Sequence, residues 1–453
     1  MRPPIERLSP SDALELRTDV GPVPMNVGAL LTLKTRAGFD VDVITSLLAE
    51  RASLVPRLRQ RLVPVPWWCG RPVWVDDGTF DIHQHVRQRV CPPPGDERTL
   101  LDLAAALLAE PLSMEHPLWS ATVVTGLQEG QTAVLVAFHH VLSDGLGGLA
   151  LLAGLVDGGR LPSPKEEIPY GFPPLPSRAD LVRDAARSGL RGLGRVPRAV
   201  RAAGSAVTKL GMGRPERLVP SSLNRPTGRR RFYTTLRTDL AAVHDVAHAH
   251  GVTVNDLLLT VITGALQQVV RSRGEEPDRL VVSVPVSHRT AGATDLGNHV
   301  GVMPVSVPMV NDPWAGLREV GRTTRGRKTV ARVSEALLGP VFRLLALVGV
   351  FRWFVDHQRL VNTFFTNMRG PDQPVRLADA CVTSIVPLTG TTGNVTSAFA
   401  ALSYAGQLTL SVVTDPDLFP DMPMLIDGLR DQLTLLGVFP GAPFHQQEKL
   451  STA

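Results

Sequence analysis

Cysteine is scarce in this chain of 453 residues, and its spacing does not suit a structural role. The three cysteines, Cys69, Cys91 and Cys381, are far apart and odd in number. A disulfide framework needs paired cysteines, and a structural zinc site needs them at short, regular spacing. The sequence therefore argues against a domain stabilised by disulfides and against one stabilised by zinc. It favours a reducing compartment.

The chain also lacks a clean hydrophobic span. Its first residues lead directly into polar sequence, without the apolar core of a secretion signal. The long apolar stretch 336–355 contains Arg343 and Arg352, and Gly339-Pro340 interrupts its start. Because charges inside a membrane span are costly, this stretch predicts a core or interfacial helix. We therefore expect a cytoplasmic protein that contacts lipid only peripherally.

Lysine is rare as well: five lysines stand against 42 arginines, at a formal net charge of +5. Guanidinium groups favour bidentate contacts with phosphate and carboxylate. Ten basic residues lie in the segment 178–217, several at three- or four-residue spacing along one helix face. Such a helix predicts binding to a membrane surface or a phosphate-facing crossover, with a solvated linker helix as the alternative. The segment has no interleaved aromatic residues, which argues against nucleic acid as a partner.

Proline divides the chain. Six prolines between positions 162 and 176 exclude a regular element there. We predict an N-terminal lobe over 1–160, a proline-rich and basic crossover over 161–225, and a C-terminal lobe over 226–453. Helical and β-rich patterns mix in both lobes, so the predicted fold class is α/β, with mixed sheets.

Several local signals predict structure. Thr253 and Asp256 resemble a capping box at the head of an apolar helix. Ala405-Gly406 predicts a hairpin turn between two β-rich runs. Pro285 and Pro304 lie inside two other β-rich runs, where we expect them to interrupt strand pairing.

A second pair of histidines could indicate a metal site. His83 and His85 could share one strand face and bind an ion, but no third ligand stands nearby. Two exposed histidines are the simpler interpretation, and no metal site is predicted.

The strongest functional signal is a histidine pair at the exit of an apolar run. Residues 132–138 predict a buried strand, and His139 and His140 follow, ahead of Asp144 and Gly145. Neighbouring side chains on a strand point to opposite faces, so only one ring can face a given cleft. An imidazole near neutral pKa can serve as a general base. A histidine pair that only caps a turn is the alternative.

The pattern HHxxxDG, formed by these residues, is the signature of the coenzyme-A-dependent acyltransferase superfamily typified by chloramphenicol acetyltransferase. Further strings resemble, in order, one of its members, the bacterial wax ester synthase/diacylglycerol acyltransferase family. They are Leu8-Ser9-Pro10, Met25-Asn26-Val27-Gly28, Pro117-Leu118-Trp119, Leu223-Asn224, Arg229-Arg230, Asn255-Asp256, Val284-Pro285-Val286-Ser287, Arg289, Leu296-Gly297-Asn298, Thr366-Asn367 and Gly370-Pro371. Because these matches are collinear over nearly the whole chain, they are more specific than any single string.

The resemblance implies a two-lobed chloramphenicol acetyltransferase-like fold with an active-site channel between the lobes. It implies transfer of a fatty acyl group from acyl-CoA, the co-substrate, to the hydroxyl of diacylglycerol or a long-chain alcohol. No other cofactor and no metal are expected. The water-insoluble acceptor implies peripheral attachment to the inner membrane or lipid droplets, for which segment 178–217 is the candidate.

The resemblance also assigns roles to residues. His140 is the general base, and His139 packs on the far face and orients the loop. Asp144 is expected to hold that loop through an ion pair, with Arg289 as the candidate partner. The predicted substrate-binding residues are Gly145, Asn255, Asp256, Arg289 and Asn367. A plain helix N-cap is an equally good interpretation of Asn255.

Two other functions compete with this hypothesis. A condensation-type acyltransferase would act on carrier-bound substrates, although no carrier-like segment is present. A non-catalytic lipid- or membrane-surface protein could retain the fold and use its basic segment.

Overall fold

Two six-stranded β-sheets organise the molecule. A computed structural model of the chain describes residues 5–19, 21–36, 39–142, 145–158, 175–193, 219–287, 300–327, 345 and 349–438. The strands within these residues are β1 Asn26–Lys34, β2 Gln60–Val63, β3 Val73–Asp76, β4 Val86–Val90, β5 Trp119–Thr125, β6 Thr132–His139, β7 Phe232–Asp239, β8 Arg279–Ser287, β9 Val300–Pro308, β10 Thr363–Arg369, β11 Arg376–Leu377, β12 Ala380–Leu388, β13 Ser397–Tyr404 and β14 Gln407–Thr414. The first sheet has the order β11-β12-β1-β6-β5-β4, and the second has the order β7-β14-β13-β10-β8-β9.

Helices cover the outer face of each sheet. Those described are α1 Pro10–Thr18, α2 Val41–Leu54, α3 Glu97–Leu108, α4 Gly145–Leu155, α5 Arg178–Leu193, α6 Leu240–Ala249, α7 Val254–Ser272, α8 Pro313–Arg327, α9 Phe351–Asp356 and α10 Met422–Leu435. Apolar residues of α2 and α4 pack on one face of the first sheet. Those of α6, α7, α8 and α10 pack on one face of the second. The order is therefore helices, sheet, sheet, helices.

The inner faces of the sheets share a third core, which α3 partly fills. Leu30 and Leu135 from the first sheet pack there with Leu101 of α3 and with Ala398 and Val413 from the second. Polar contacts reinforce this junction between the two sheets. Burial of this shared apolar surface stabilises the contact between the two sheets.

Helix α3 is joined to β7 by a charged contact. The carboxylate of Glu97 accepts hydrogen bonds from Arg237 at 2.7 and 3.0 Å and from the Thr235 hydroxyl at 2.7 Å. Burial alone would raise the pKa of Glu97, but the hydrogen bonds and charge of Arg237 hold that pKa below its usual value. The neighbouring Arg98 stacks over Phe232 at 4.1 Å. Charge and packing thus hold the two halves of the chain together.

Strand β1 is the centre of the first sheet. It pairs antiparallel with β6, placing Asn26 opposite His139, and antiparallel with β12, placing Gly28 opposite Leu388. Strands β11 and β12 come from the predicted C-terminal lobe, so the first sheet is built from both parts of the chain. The division at 160 and 225 stays a prediction, but the sheets do not separate along it.

The local signals give mixed outcomes. The capping box is confirmed: Thr253 Oγ1 accepts from the Asp256 amide at 3.2 Å, and Asp256 Oδ2 accepts from the Thr253 amide at 2.9 Å. The hairpin is also confirmed, with Tyr404 opposite Gln407 and positive φ at both Ala405 and Gly406. A two-residue turn of this kind matches the twist of the flanking strands.

The expected interruption at the two prolines is wrong. Strands β8 and β9 pair without a break, with Pro304 opposite Ser283 and Pro285 opposite Val302. Proline cannot donate a backbone hydrogen bond, so it fits where no further strand needs one. Strand β9 lies at the sheet edge, and β10 pairs with β8 only at Val282 and Ser283, before Pro285 is reached.

The expectation of two exposed histidines is wrong for His85. Ile82–Gln84 is a single helical turn rather than a strand, so the rings of His83 and His85 do not share a face. His85 is 3% exposed, stacks on Trp119 at 4.8 Å and hydrogen-bonds the Trp119 carbonyl through Nδ1 at 2.8 Å. Burial lowers the pKa of His85, which favours its neutral form. Across the described residues, no group of three or more metal-ligating side chains could hold an ion.

Helix α5 contains the part of the basic segment that the structure describes. Its Leu181 is buried against Cys69 and Val73. Arg7 donates to the Asp184 carboxylate at 2.5 Å and to the Leu181 carbonyl at 2.8 Å. The apolar side of α5 is therefore used to dock the helix on the first lobe. The rest of segment 178–217, and residues 336–344 and 346–348 of the predicted apolar helix, lie outside the described residues.

Among the described helices, none is by itself long and apolar enough to cross a membrane. Helices α6 and α7 pass that test only as a pair, and a bend of 98° separates them.

Gly28 offers a test of the β1–β6 contact. A Cβ at this position would lie 2.3 Å from the Val136 carbonyl oxygen and 3.2 Å from the Ala137 Cα, and both are backbone atoms. Gly28→Ala should lower the free energy of unfolding by about 1–3 kcal/mol, because the strands must separate to admit the methyl group. Urea denaturation measures this change. Gly21→Ala, where the nearest atom is 3.6 Å away, is the matched control, and equal stability of both variants would contradict the interpretation.

Candidate active site

The buried strand β6 ends at His139, and His140 follows it directly in the chain. Every residue from Thr132 to His139 is buried, which explains the continuous apolar run. The backbone then turns: the Leu142 amide donates to the His139 carbonyl at 2.9 Å. Helix α4 begins at Gly145. The predicted strand, turn and helix are therefore present around the histidine pair.

His139 is buried and hydrogen-bonded through both ring nitrogens. Its side chain is 4% exposed. The Nε2 atom lies 3.1 Å from Asp19 Oδ2, and Nδ1 accepts from the Val141 amide at 3.1 Å. The ring thus contacts the loop that follows, as predicted for a residue that orients it.

His140 is half-buried, and its backbone is bonded to the residue that precedes β1. Its amide donates to the Met25 carbonyl at 2.9 Å. As a residue it is more exposed than His139, consistent with the predicted base facing a substrate. The role of general base stays a prediction that these contacts support.

The first turn of α4 lies close to β6. A Cβ at Gly148 would lie 2.4 Å from the Phe138 ring, so glycine permits the first turn of α4 to approach the strand. Asp144 and Arg289 lie outside the described residues, and the predicted ion pair between them stays a prediction. Gly145 is placed at the start of α4, and its role in substrate binding stays a prediction.

Two of the strings noted in the sequence, Met25-Asn26-Val27-Gly28 and Pro117-Leu118-Trp119, lie next to His139. The side-chain amide of Asn26 donates through Nδ2 to the Leu108 carbonyl at 3.0 Å and to the Glu110 carbonyl at 2.8 Å. It thereby satisfies carbonyls at the end of α3. The His139 amide donates to the Leu118 carbonyl at 3.0 Å. Trp119 is fully packed and donates through Nε1 to the Leu58 carbonyl at 2.7 Å. Both strings therefore support the end of strand β6, although neither belongs to the HHxxxDG motif.

The predicted site residues of the second half are less closely grouped. Asn255 is half-buried in the first turn of α7, and the N-cap interpretation of this residue is wrong, because Thr253 is the N-cap. Both carboxylate oxygens of Asp256 are used within the fold, Oδ2 by the capping box and Oδ1 by the Thr324 hydroxyl at 2.7 Å. Asp256 thereby joins α7 to α8, and its predicted contact with substrate gains no support from this geometry.

Asn367 lies exposed on β10, opposite Ala401 of β13. The next residue, Met368, packs against the same core as Leu149 of α4. The strand that carries Asn367 therefore contacts the helix that follows the histidine motif.

Sequence reasoning missed Asp19. Its carboxylate lies 3.1 Å from both His139 Nε2 and the Met25 amide. It precedes His139 by 120 positions and belongs to no string singled out in the sequence. Only the three-dimensional pairing of β1 with β6 brings the two together.

Family models match this chain over most of its length. Residues 8–258 match the wax ester synthase/diacylglycerol acyltransferase catalytic domain, and residues 296–437 match the corresponding C-terminal domain. The chain belongs to the wax ester synthase/diacylglycerol acyltransferase family. A probable diacylglycerol O-acyltransferase of Mycobacterium tuberculosis strain H37Rv is 32% identical over 437 residues, covering 91% of each chain. A putative diacylglycerol O-acyltransferase of strain CDC 1551 is 30% identical over 443 residues, again 91% of each.

Solved structures confirm the predicted two-lobed fold. A wax ester synthase/diacylglycerol acyltransferase from Marinobacter aquaeolei VT8 has a TM-score of 0.68 at 21% identity, covering 95% of this chain and 98% of that one. A mutant starter condensation domain of rhizomide synthetase, solved in complex with C8-CoA, has a TM-score of 0.63 at 13% identity, covering 96% of each chain. At these identities the likeness establishes the fold alone. The channel expected between the lobes stays a prediction.

The histidine pair can be tested directly. His140→Ala should lower the rate of thioester-dependent esterification by about a hundredfold or more, the scale expected when a general base is lost. His139→Ala should cost less, because that ring contacts the loop rather than substrate. Release of free coenzyme A gives the rate. His116→Ala, which removes another half-buried histidine from the same lobe, should retain the parental rate. Parental activity of His140→Ala would contradict the assignment.

Proposed function

We propose that this chain is an acyl-CoA-dependent O-acyltransferase that acts on diacylglycerol or a long-chain alcohol. The observation that carries the proposal is the placement of His140: a half-buried imidazole on a fixed turn at the end of the buried strand β6. The family match over both halves of the chain supports the same reaction. The relatives named diacylglycerol O-acyltransferase support the acceptor class.

The proposed chemistry is direct transfer. His140 takes the proton from the acceptor hydroxyl as the oxygen attacks the thioester carbonyl. The tetrahedral intermediate places a negative charge on the former carbonyl oxygen, which requires hydrogen-bond donors. Collapse breaks the carbon–sulfur bond, and the protonated imidazole returns its proton to the thiolate. The products are the ester and free coenzyme A, and no covalent acyl-enzyme is needed.

Condensation-type chemistry is the second candidate because the fold alone is shared with condensation domains. The family match favours a lipid acceptor over a carrier-bound one. One of those domains was solved with C8-CoA, so this fold can accommodate an acyl-CoA. That observation supports acyl-CoA as the donor here.

A matrix assay tests the reaction class and the acceptor. Acyl-CoA of several chain lengths is mixed with dioleoylglycerol, hexadecanol or a short alcohol, and both free coenzyme A and the ester are quantified. We expect coenzyme A release to depend on a long-chain hydroxyl acceptor and to be matched by ester formation. Release without ester would indicate simple thioester hydrolysis. No release with any acceptor would contradict the proposed function and favour a non-catalytic protein.

We also propose that helix α5 attaches the protein peripherally to an anionic lipid surface. Its Leu181 is buried against the first lobe, and arginines of the helix face outward. Arg178, Arg183 and Arg187 are exposed there. Trp68, which precedes Cys69 beneath the helix, is 59% exposed, and tryptophan favours the membrane interface. Attachment should therefore be electrostatic, with little insertion.

Liposome co-sedimentation tests this surface. Reversal of Arg178, Arg183 and Arg187 to Glu should weaken binding to vesicles containing phosphatidylserine by roughly a hundredfold or more, since each arginine contributes about 1 kcal/mol. Binding by the parent should also fall as salt rises. The matched control reverses Arg318, Arg322 and Arg430, three exposed arginines of the other lobe. Undiminished binding by the α5 variant, or binding indifferent to lipid charge, would contradict the proposal.

A further inference from the structure

The backbone on both sides of the His140 Cα is held by one chain of hydrogen bonds. On one side, the His140 amide donates to the Met25 carbonyl at 2.9 Å. On the other side, the Val141 amide donates to His139 Nδ1 at 3.1 Å. The two anchors converge on one carboxylate: the Met25 amide donates to Asp19 Oδ1, and His139 Nε2 lies 3.1 Å from Asp19 Oδ2. We propose that Asp19 is a positioning residue that, through His139 and Met25, sets the orientation of the base His140.

The hydrogen bonds select one form of His139. A ring nitrogen that accepts from an amide carries no proton, so Nδ1 is bare and Nε2 carries the hydrogen. That hydrogen points to Asp19 Oδ2, so the carboxylate stabilises the tautomer that the Val141 amide requires. With the opposite tautomer, or with both nitrogens protonated, the Val141 amide would lose its acceptor.

Burial makes this arrangement effective. The His139 side chain is 4% exposed and the Asp19 side chain 24%, so water cannot easily replace the carboxylate at the ring. A buried donor that loses its acceptor costs more than an exposed one. Loss of Asp19 should therefore release the ring and the turn that it holds, while the strand β6 remains packed on both faces.

The inference rests on the proposed function, and a double-mutant cycle tests it. Asp19→Ala should lower kcat by about ten- to a hundredfold, the range expected for a displaced catalytic group, with little change in KM for acyl-CoA. Asp19→Asn retains the side-chain volume but offers only one acceptor oxygen, so it should show a smaller loss of the same kind. The double variant Asp19→Ala/His139→Ala should be no slower than the slower single variant, because both residues act through one contact.

The matched control is Asp157→Asn. The Asp157 side chain is 27% exposed, pairs with Arg51 and accepts backbone amides, but does not contact the histidine turn. It should lose stability and retain kcat. Nitrogen-15 shifts of labelled histidine provide a second readout. The His139 signal, identified by its absence from His139→Ala, should indicate an Nε2–H ring in the parent and a tautomer mixture in Asp19→Asn.

Each outcome decides the inference. Parental kcat in both Asp19 variants, additive losses in the double variant, or an unchanged tautomer in Asp19→Asn would overturn it. Should Asp19→Ala not fold, Asp19→Asn carries the test, with its melting temperature measured beside that of Asp157→Asn. An inactive parent protein would contradict the proposed function instead, so the two failures are distinguishable.

Discussion

The position of β1 between β6 and β12 is the constraint on which the site depends. Its pairing with β6 places Asn26 opposite His139, and its pairing with β12 joins Gly28 to Leu388, far away in sequence. The strand that carries the histidines is therefore fixed within a sheet that needs both parts of the chain. Long-range pairing of this kind adds loop-closure entropy, which the buried apolar surface between the sheets must offset. The site and the fold consequently form together.

Much of the fold and of the candidate site could be predicted from the sequence wherever the signal was local. The strand β6, the capping box at Thr253 and the hairpin at Ala405-Gly406 follow from short-range periodicity or turn chemistry, and all are present. The family signature identified His140, and collinear strings extended the resemblance over the chain.

The predictions that were wrong, and the residue that was missed, share a physical cause. Proline at 285 and 304 breaks pairing only where a further strand needs its missing donor, and strand order is not a local property. His85 is buried because Trp119, 34 positions away, stacks on it. Asp19 could not be selected because nothing in its own neighbourhood distinguishes it from any surface aspartate. Its significance comes from a contact across 120 positions.

This fold is shared by proteins of very different sequence. Condensation domains and a wax ester synthase share this architecture at 13–21% identity, so few side chains can be essential to it. Around His139 and His140 the contacts fall mainly on backbone atoms: the carbonyls of Leu118 and Met25 and the amide of Val141. The Asp19 carboxylate and the His139 ring are the side chains on which the turn also depends. Function is therefore determined by the residues at the site rather than by the fold.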